Sequence, residues 1–285
     1  MLRLAVFADL HGKLLLPFKL ADHWQRATGQ RLDLLLQCGD VGAFPDRKKL
    51  DRATLKHAKN DRDELGFHDD FVRPRPEIRR FLDGLGLEMW CVRGNHEDHG
   101  FLDGLETAAG AAPRYAIDGY GRVLMLRSGV AQHFDKDGLR LNLLGIGRIG
   151  DRKGRTEPRF IQPAERETLR RTLNAGHDFQ LLLSHDMAPA PENPGGEGLA
   201  DIDTALDQCP FVYHFHGHTG QPYAAYPAAN GITTSVKVRE LEFNAAGQLE
   251  PGCMVIVQWD GERWQLEPVP LALIKGFSRH CWRQL

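Results

Sequence analysis

Five short apolar runs, each ending on a residue that can ligate a metal ion or handle a phosphate, constrain this 285-residue chain more than any other feature. The run 2–8 stops at Asp9, and 33–38 stops at Gly39 and Asp40. The run 87–92 leads through Arg93 and Gly94 to Asn95 and His96, 179–184 delivers His185, and 211–216 feeds Gly217 and His218. Continuous apolar runs of this length read as strands buried on both faces of a parallel sheet. Asp9 and Asp40 stand 31 positions apart, and His185 and His218 stand 33 apart, each about one strand–helix–strand unit. Pro17 suits the first turn of the intervening helix, and Gly29 stops it after Ala27. Crossovers of this kind return the chain to one sheet edge, so residues remote in sequence gather at the carboxyl ends of strands, where open α/β sheets hold ligands.

The step from Asp40 to Asn95 is 55 positions, longer than one crossover requires. The surplus, about residues 44–80, reads as a charged helical insertion in which Arg47, Lys48, Lys49, Lys56, Lys59, Arg73, Arg75, Arg79 and Arg80 alternate with acids. It is either a solvated face or a lid that grips a polyanionic substrate. Arg148, Arg152, Lys153 and Arg155 form a smaller basic cluster, and 189–198 is a Pro/Gly-rich loop at the same edge. Further strands are expected at 122–126 and 139–144, with a helix at 163–173. After about residue 220 the pattern turns to β, at 233–238, 253–259 and 264–268, the last two joined by the hairpin signal Asp260 and Gly261. Residues 1–285 are expected to form a single domain, with the strands in 231–268 completing its second sheet.

Thirty-six Lys and Arg against 38 Asp and Glu leave a formal net charge of −2, which gives no global field toward nucleic acid or membrane. Cys38, Cys91, Cys209, Cys253 and Cys281 lack the spacing of a disulfide framework or a thiolate zinc site. The run 2–8 contains Arg3 and is too short for a signal or membrane segment, and nothing longer follows. A soluble cytoplasmic protein without a membrane partner is expected. The sequence does not speak to oligomeric state.

Carboxylate, amide oxygen and imidazole without thiolate suit two hard-to-borderline divalent ions, Mn foremost, with Fe, Zn or Ni as alternatives. A carboxylate can bridge such ions about 3.5–4 Å apart, the clamp used for in-line phosphoryl displacement. Taken singly, Asp9 or Asp40 would be a helix cap or turn residue; the coincidence of five strand ends shifts that balance. His214, His216 and His218 alternate as one face of a strand does. Of these, His218 is read as a ligand, His214 as structural, and His216 is left open. His99 is read as the start of a surface helix.

Asp9, His11 and Gly12, then Gly39 and Asp40, then Arg93 through Glu97, then Ser184 and His185, then Gly217, His218 and Thr219 together resemble the ordered signature of the calcineurin-like binuclear metallophosphoesterases over about residues 2–220. The wording at 38–40, 94–97 and 183–186, with the long insertion, is similar to RNA lariat debranching enzymes; that at 9–12 and 93–97 equally resembles serine/threonine phosphoprotein phosphatases. The resemblance implies a four-layer α/β/β/α sandwich with two facing mixed β-sheets. It implies Asp9 and His11 on one ion, Asp40 bridging, and Asn95, His185 and His218 on the other. His96 is then the acid beside the substrate phosphate, and water held between the ions is the nucleophile.

The implied activity is hydrolysis of a phosphate ester, with a phosphodiester in a nucleotide or nucleic acid as the preferred substrate. A phosphomonoesterase acting on protein or small phosphates is one alternative, and a catalytically weak interaction module on the same fold is another. Two features depart from the family. Its last motif commonly ends Gly-His-x-His, whereas this chain has Gly220 there, so the first ion lacks a ligand unless His216 or water takes the place. The arginine that grips phosphate in the phosphoprotein phosphatases is also missing from 41–44. Conversely, Asp9 stands where lariat debranching enzymes carry cysteine.

Overall fold

The computed structural model describes residues 1–151, 153–189 and 198–284. Arg152 and nearly all of the 189–198 loop therefore lie outside the described residues. In chain order the strands are β1 (Leu2–Phe7), β2 (Leu34–Gln37), β3 (Met89–Cys91), β4 (Arg114–Ala116), β5 (Val123–Leu126), β6 (Ala131–Lys136) and β7 (Leu139–Ile146). They continue as β8 (Leu181–Ser184), β9 (Tyr213–His216), β10 (Ala224–Pro227), β11 (Thr234–Lys237), β12 (Val255–Trp259) and β13 (Trp264–Pro268). The helices are α1 (Leu15–Thr28), α2 (Arg52–His57), α3 (Pro76–Leu85), α4 (His99–Ala108), α5 (Pro163–Asn174), α6 (Ala200–Gln208) and α7 (Leu271–Ile274).

Two mixed sheets form, in the orders β13-β12-β1-β2-β3-β5-β4 and β10-β11-β9-β8-β7-β6. They face each other through a dry layer in which Leu4, Val6, Leu36 and Trp90 of the first sheet meet Leu143, Leu183, Phe215 and Val236 of the second, all within 1% of complete burial. The opposite face of the first sheet is covered by α1, α3 and α4, with Leu16, Phe18 and Leu82 in that core. The opposite face of the second is covered by α5 and α6 through Leu169, Leu173, Ile202 and Leu206. Helix, sheet, sheet and helix therefore stack as the α/β/β/α sandwich expected, the central strands burying both faces. The five cysteines are free thiols. No helix among the described residues is long and apolar enough to cross a membrane.

One topological expectation is corrected. Only β10 and β11 of the late strands join the second sheet; β12 and β13 extend the first, β12 pairing antiparallel with β1 in the register Leu4 to Val257. Val255 and Val257 face the layer between the sheets while Met254 and Ile256 face the helices, so β12 is a doubly buried strand that must be covered on both sides. After β11 the chain crosses between sheets, bridging Ala8 to Glu240 and bonding the Leu241 N–H to the Ala8 carbonyl at 2.9 Å. That crossing sets the backbone of Glu240 beside Ala8, the residue before Asp9. The hairpin β12–β13 forms where its turn signal stands, with Trp259 and Trp264 stacked across it at 5.0 Å.

Parallel pairing carries β1, β2 and β3 in one sheet and β8 and β9 in the other so that their carboxyl ends open on the same edge. The insertion between β2 and β3 folds over that edge in short helical turns, pinned by the buried Phe67 and Phe71.

Candidate metal centre

The loops that leave β1 and β2 are laced together by main-chain hydrogen bonds. Asp9 N–H donates to the Gly39 carbonyl at 3.1 Å, His11 N–H to that of Asp40 at 3.0 Å, and Gly12 N–H to that of Val41 at 2.8 Å. To make these contacts Asp9, His11 and Asp40 adopt positive φ angles of 49°, 42° and 54°, and His218 adopts 74°. Residues other than glycine seldom enter that region, which costs on the order of 1–3 kcal/mol each and persists only where the surroundings enforce it. Four of the side chains nominated from the sequence thus share one rare conformation.

Glycines bring backbone directly against these side chains. A Cβ on Gly94 would lie 2.0 Å from Asp40 Oδ1, one on Gly217 would lie 2.5 Å from Asp9 Oδ2, and one on Gly39 would lie 2.5 Å from His185 Nδ1. The glycine preceding Asp40, Asn95 and His218 is therefore a packing requirement as well as a turn. Glu97 completes the frame, accepting from the N–H groups of Val41 at 2.9 Å and Ala43 at 2.8 Å.

The structure brings together Asp9, His11, Asp40, Asn95, His185 and His218. Ligating atoms of Asp9, His11 and Asp40 lie within 4.8 Å of one another, and so do those of Asp40, His185 and His218, with Asp40 common to both groups. Asn95 Oδ1 lies 2.9 Å from His185 Nε2. His185 Nδ1 is 2.8 Å from the Cys38 carbonyl, which can only accept, so Nδ1 carries the proton. Its Nε2 then faces two oxygens, Asn95 Oδ1 and, at 3.4 Å, Asp40 Oδ1. With the Asn95 oxygen turned inward these three atoms can share one cation, and a carbonyl that fixes the far nitrogen is how a ligating histidine is oriented. This donor set fits divalent ions.

Without such an ion the protein supplies the charge as a proton. Burial opposes an imidazolium at His185, but Asp40 and Asp9 override it and lift the group to about 10. Burial also works to raise Asp40, yet His185 holds that carboxyl well below its ordinary range. Asp9, for which burial outweighs the pull of His185, is pushed up to about 7.

His96 stands beside this group, its ring 5.5 Å from that of His11 and its main-chain N–H donating to Asp40 Oδ1 at 2.8 Å. Its Nδ1 lies 2.6 Å from Asp51 Oδ2. Burial disfavours its charge, but the bond to Asp51 and the field of Asp40 raise it to about 9. Asp51 carries no motif beyond a helix cap; its other oxygen accepts from Thr54 N–H at 2.8 Å, which is all the sequence betrays. The cleft measures about 330 Å³ and is lined by His11, Asp40, His96 and His218 from the strand edge, by Ala53, Thr54, His57 and Glu64 from the insertion, and by Glu240 and Glu242.

The insertion therefore borders the cleft, but several of its basic residues are committed elsewhere. Arg47 and Arg62 bind Asp69, Arg75 binds Asp70, and Lys49 lies 3.4 Å from Asp98. The buried Lys13 is ringed by Asp61, Glu64 and Glu242 at 3.2–3.6 Å. Arg93, buried, is taken by Asp103, Glu106 and Tyr115. His99 does start α4 but is buried, 3.2 Å from Arg148, because that helix packs its first turn inward. His214 is structural, bonded to Ser184 and Ser235 at 2.7 and 3.2 Å. His216 faces the same way, its Nε2 2.8 Å from the Tyr226 hydroxyl, because Phe215 between them takes the layer between the sheets. It is not among the clustered ligating atoms.

Facing sheets with carboxylates and imidazoles converging at one strand edge define a hydrolase built around metal ions. The family model of calcineurin-like phosphoesterases matches residues 2–222, and the chain belongs to that family of phosphoric ester hydrolases. Among solved structures, one superimposes at a TM-score of 0.55 with 15% identity, over 94% of this chain and 99% of its own. TT1561 of Thermus thermophilus superimposes at 0.53 with 12% identity, over the same shares of each chain. At these identities the likeness is one of fold. No curated protein matches the chain by sequence.

Proposed function

We propose that this chain is a divalent-metal-dependent phosphoesterase acting on small phosphate esters, with Asp9, His11 and Asp40 holding one ion and Asp40, Asn95, His185 and His218 the other. Manganese is the metal we expect from the oxygen and imidazole donors. The observation that carries the reading is the convergence of His185 Nε2, Asn95 Oδ1 and Asp40 Oδ1 with the far nitrogen of His185 locked to Cys38. Ions bound there supply Lewis acidity and an acidified water as nucleophile.

The protein's own part begins with His96. Asp51 occupies its Nδ1, leaving Nε2 to carry a proton toward the leaving oxygen. An interaction module has no use for an imidazole so placed. The residues lining the cleft include no lysine or arginine, and several of the insertion's cations are already paired with acids. No free basic surface is offered there to a nucleic-acid strand, so a compact ester is favoured.

Stripping the protein with chelator is expected to abolish hydrolysis of p-nitrophenyl phosphate and its bis-ester, and added Mn to restore it; activity that survives full metal removal refutes the reading. Single-stranded RNA offered under the same conditions is expected to be cleaved far more slowly than the small esters, and preferential RNA cleavage would overturn the substrate assignment. His96→Ala is expected to cost about 10²- to 10⁴-fold in kcat with alkyl phosphates. With p-nitrophenolate, which leaves without a proton, the loss should be much smaller, and equal losses on both substrates would remove the acid role.

A further inference from the structure

We propose that Glu240 is a ligand of the ion held by Asp9 and His11, filling the place that Gly220 leaves open. The proposal rests on the metal-dependent reading above and specifies how its first site is completed. That site has only three clustered donors, Asp9, His11 and the shared Asp40, whereas the second adds Asn95 to Asp40, His185 and His218. His216 does not make up the difference, since it is turned toward Tyr226.

Glu240 comes from the chain crossing between the sheets, where no motif marks it. Its backbone is bridged to Ala8, the residue before Asp9, and the next N–H is bonded to the Ala8 carbonyl. A Cβ built on Gly220 would lie 3.3 Å from Glu240 Oε1, so this carboxylate occupies the space into which a longer side chain at 220 would extend. It lines the cleft together with His11, Asp40 and His218, its carboxylate standing outside the cluster of Asp9, His11 and Asp40 donors, so a turn of its side chain accompanies ion binding.

The carboxylate is also poorly neutralised. Its side chain is 23% exposed, its nearest cation, Arg239, is 4.0 Å away, and among the described residues no donor is hydrogen-bonded to it. Arg239 is occupied with Glu250 at 2.5 Å and with the Gly220 carbonyl. A carboxylate in the field of Asp9 and Asp40 with no protein donor gains from a cation placed beside it. Three carboxylates and one imidazole make a hard oxygen-rich shell, suited to Mn.

The test is Mn binding to the metal-stripped full chain, followed by calorimetry and by the spin-coupled resonance of a Mn pair. Wild type should take up two ions per chain. Glu240→Ala and the isosteric Glu240→Gln should keep one tight ion and weaken the other by at least about 10-fold, with loss of the coupled signal. Gly220→His in the Glu240→Ala background should recover the second ion. Histidine accepts the φ of 65° at this position, as His218 does at 74°. Glu267→Gln, which removes an exposed acid on β13 away from the cleft, should leave both affinities unchanged. Two ions bound by Glu240→Gln with wild-type affinity would overturn the proposal. A wild-type chain that binds no Mn would instead overturn the two-ion reading itself, before any variant is compared.

Discussion

Asp40→Asn is expected to lower metal-dependent hydrolysis by about 10³-fold or more, equivalent to about 4 kcal/mol of transition-state stabilisation. Asp40 is the one side chain common to both groups of clustered donors. Asparagine keeps an oxygen able to accept from the His96 N–H, so the fold and the loop after β3 should survive. What disappears is the negative charge, and with it the bridge between two cations. Mn content per chain, measured on the purified variant, should fall in parallel. A variant retaining more than a tenth of wild-type activity with both ions bound would show that Asp40 does not bridge. Because Asp40 and His185 also stabilise each other's charge, the metal-free variant should hold His185 less firmly protonated than the metal-free wild type.

Gly94→Ala is expected to be severely damaging for the addition of one methyl group. The added carbon would sit 2.0 Å from Asp40 Oδ1 and 2.1 Å from Asp40 N, contacts no relaxation of one side chain can relieve. Overpacking of this kind costs about 1–3 kcal/mol when flexible side chains yield, and backbone against backbone should lie at or above the upper figure. For a chain of this length that is a fall in Tm of roughly 6 °C or more. The displaced Asp40 should also lose metal, so stability and Mn affinity fall together. Gly84→Ala is the control: it lies in α3, a Cβ there has nothing within 4 Å, and the helix should gain up to about 1 kcal/mol. Equal Tm values for the two variants would mean that the loop after β3 does not press on Asp40 as described.

Much of the site was legible before any coordinates because it is made of strand ends. A buried parallel strand has a recognisable apolar run, its end is sharp, and the crossover length brings the ends carrying Asp9, Asp40, His185 and His218 toward one edge; their roles as ligands were implied by the family resemblance. Glycine before Asp40, Asn95 and His218 was visible too, although its reason, a backbone pressed on a carboxylate or imidazole, was not. Asp51 stayed hidden because a residue that caps a helix with one oxygen gives no sign of what its other oxygen touches. Glu240 and Glu242 stayed hidden because they lie on an irregular crossing with no periodicity. The edge strands β4, β6 and β10 were not marked either, being short or half-exposed, and β10 contains Pro227, which only an edge tolerates.

The sequence by itself determined the α/β character, the sheet edge at which the polar residues meet and the kinds of donor available there, since these depend on local periodicity and on residue chemistry; the four-layer sandwich was implied by the family resemblance. Only the tertiary structure decided that β12 and β13 extend the first sheet, that His216 turns away, that several cations of the insertion are already paired, and that Glu240 is bridged to the residue before Asp9. Each of those depends on which groups distant in the chain compete for one volume or one charge, and such competition leaves no trace in the spacing of residues along a strand.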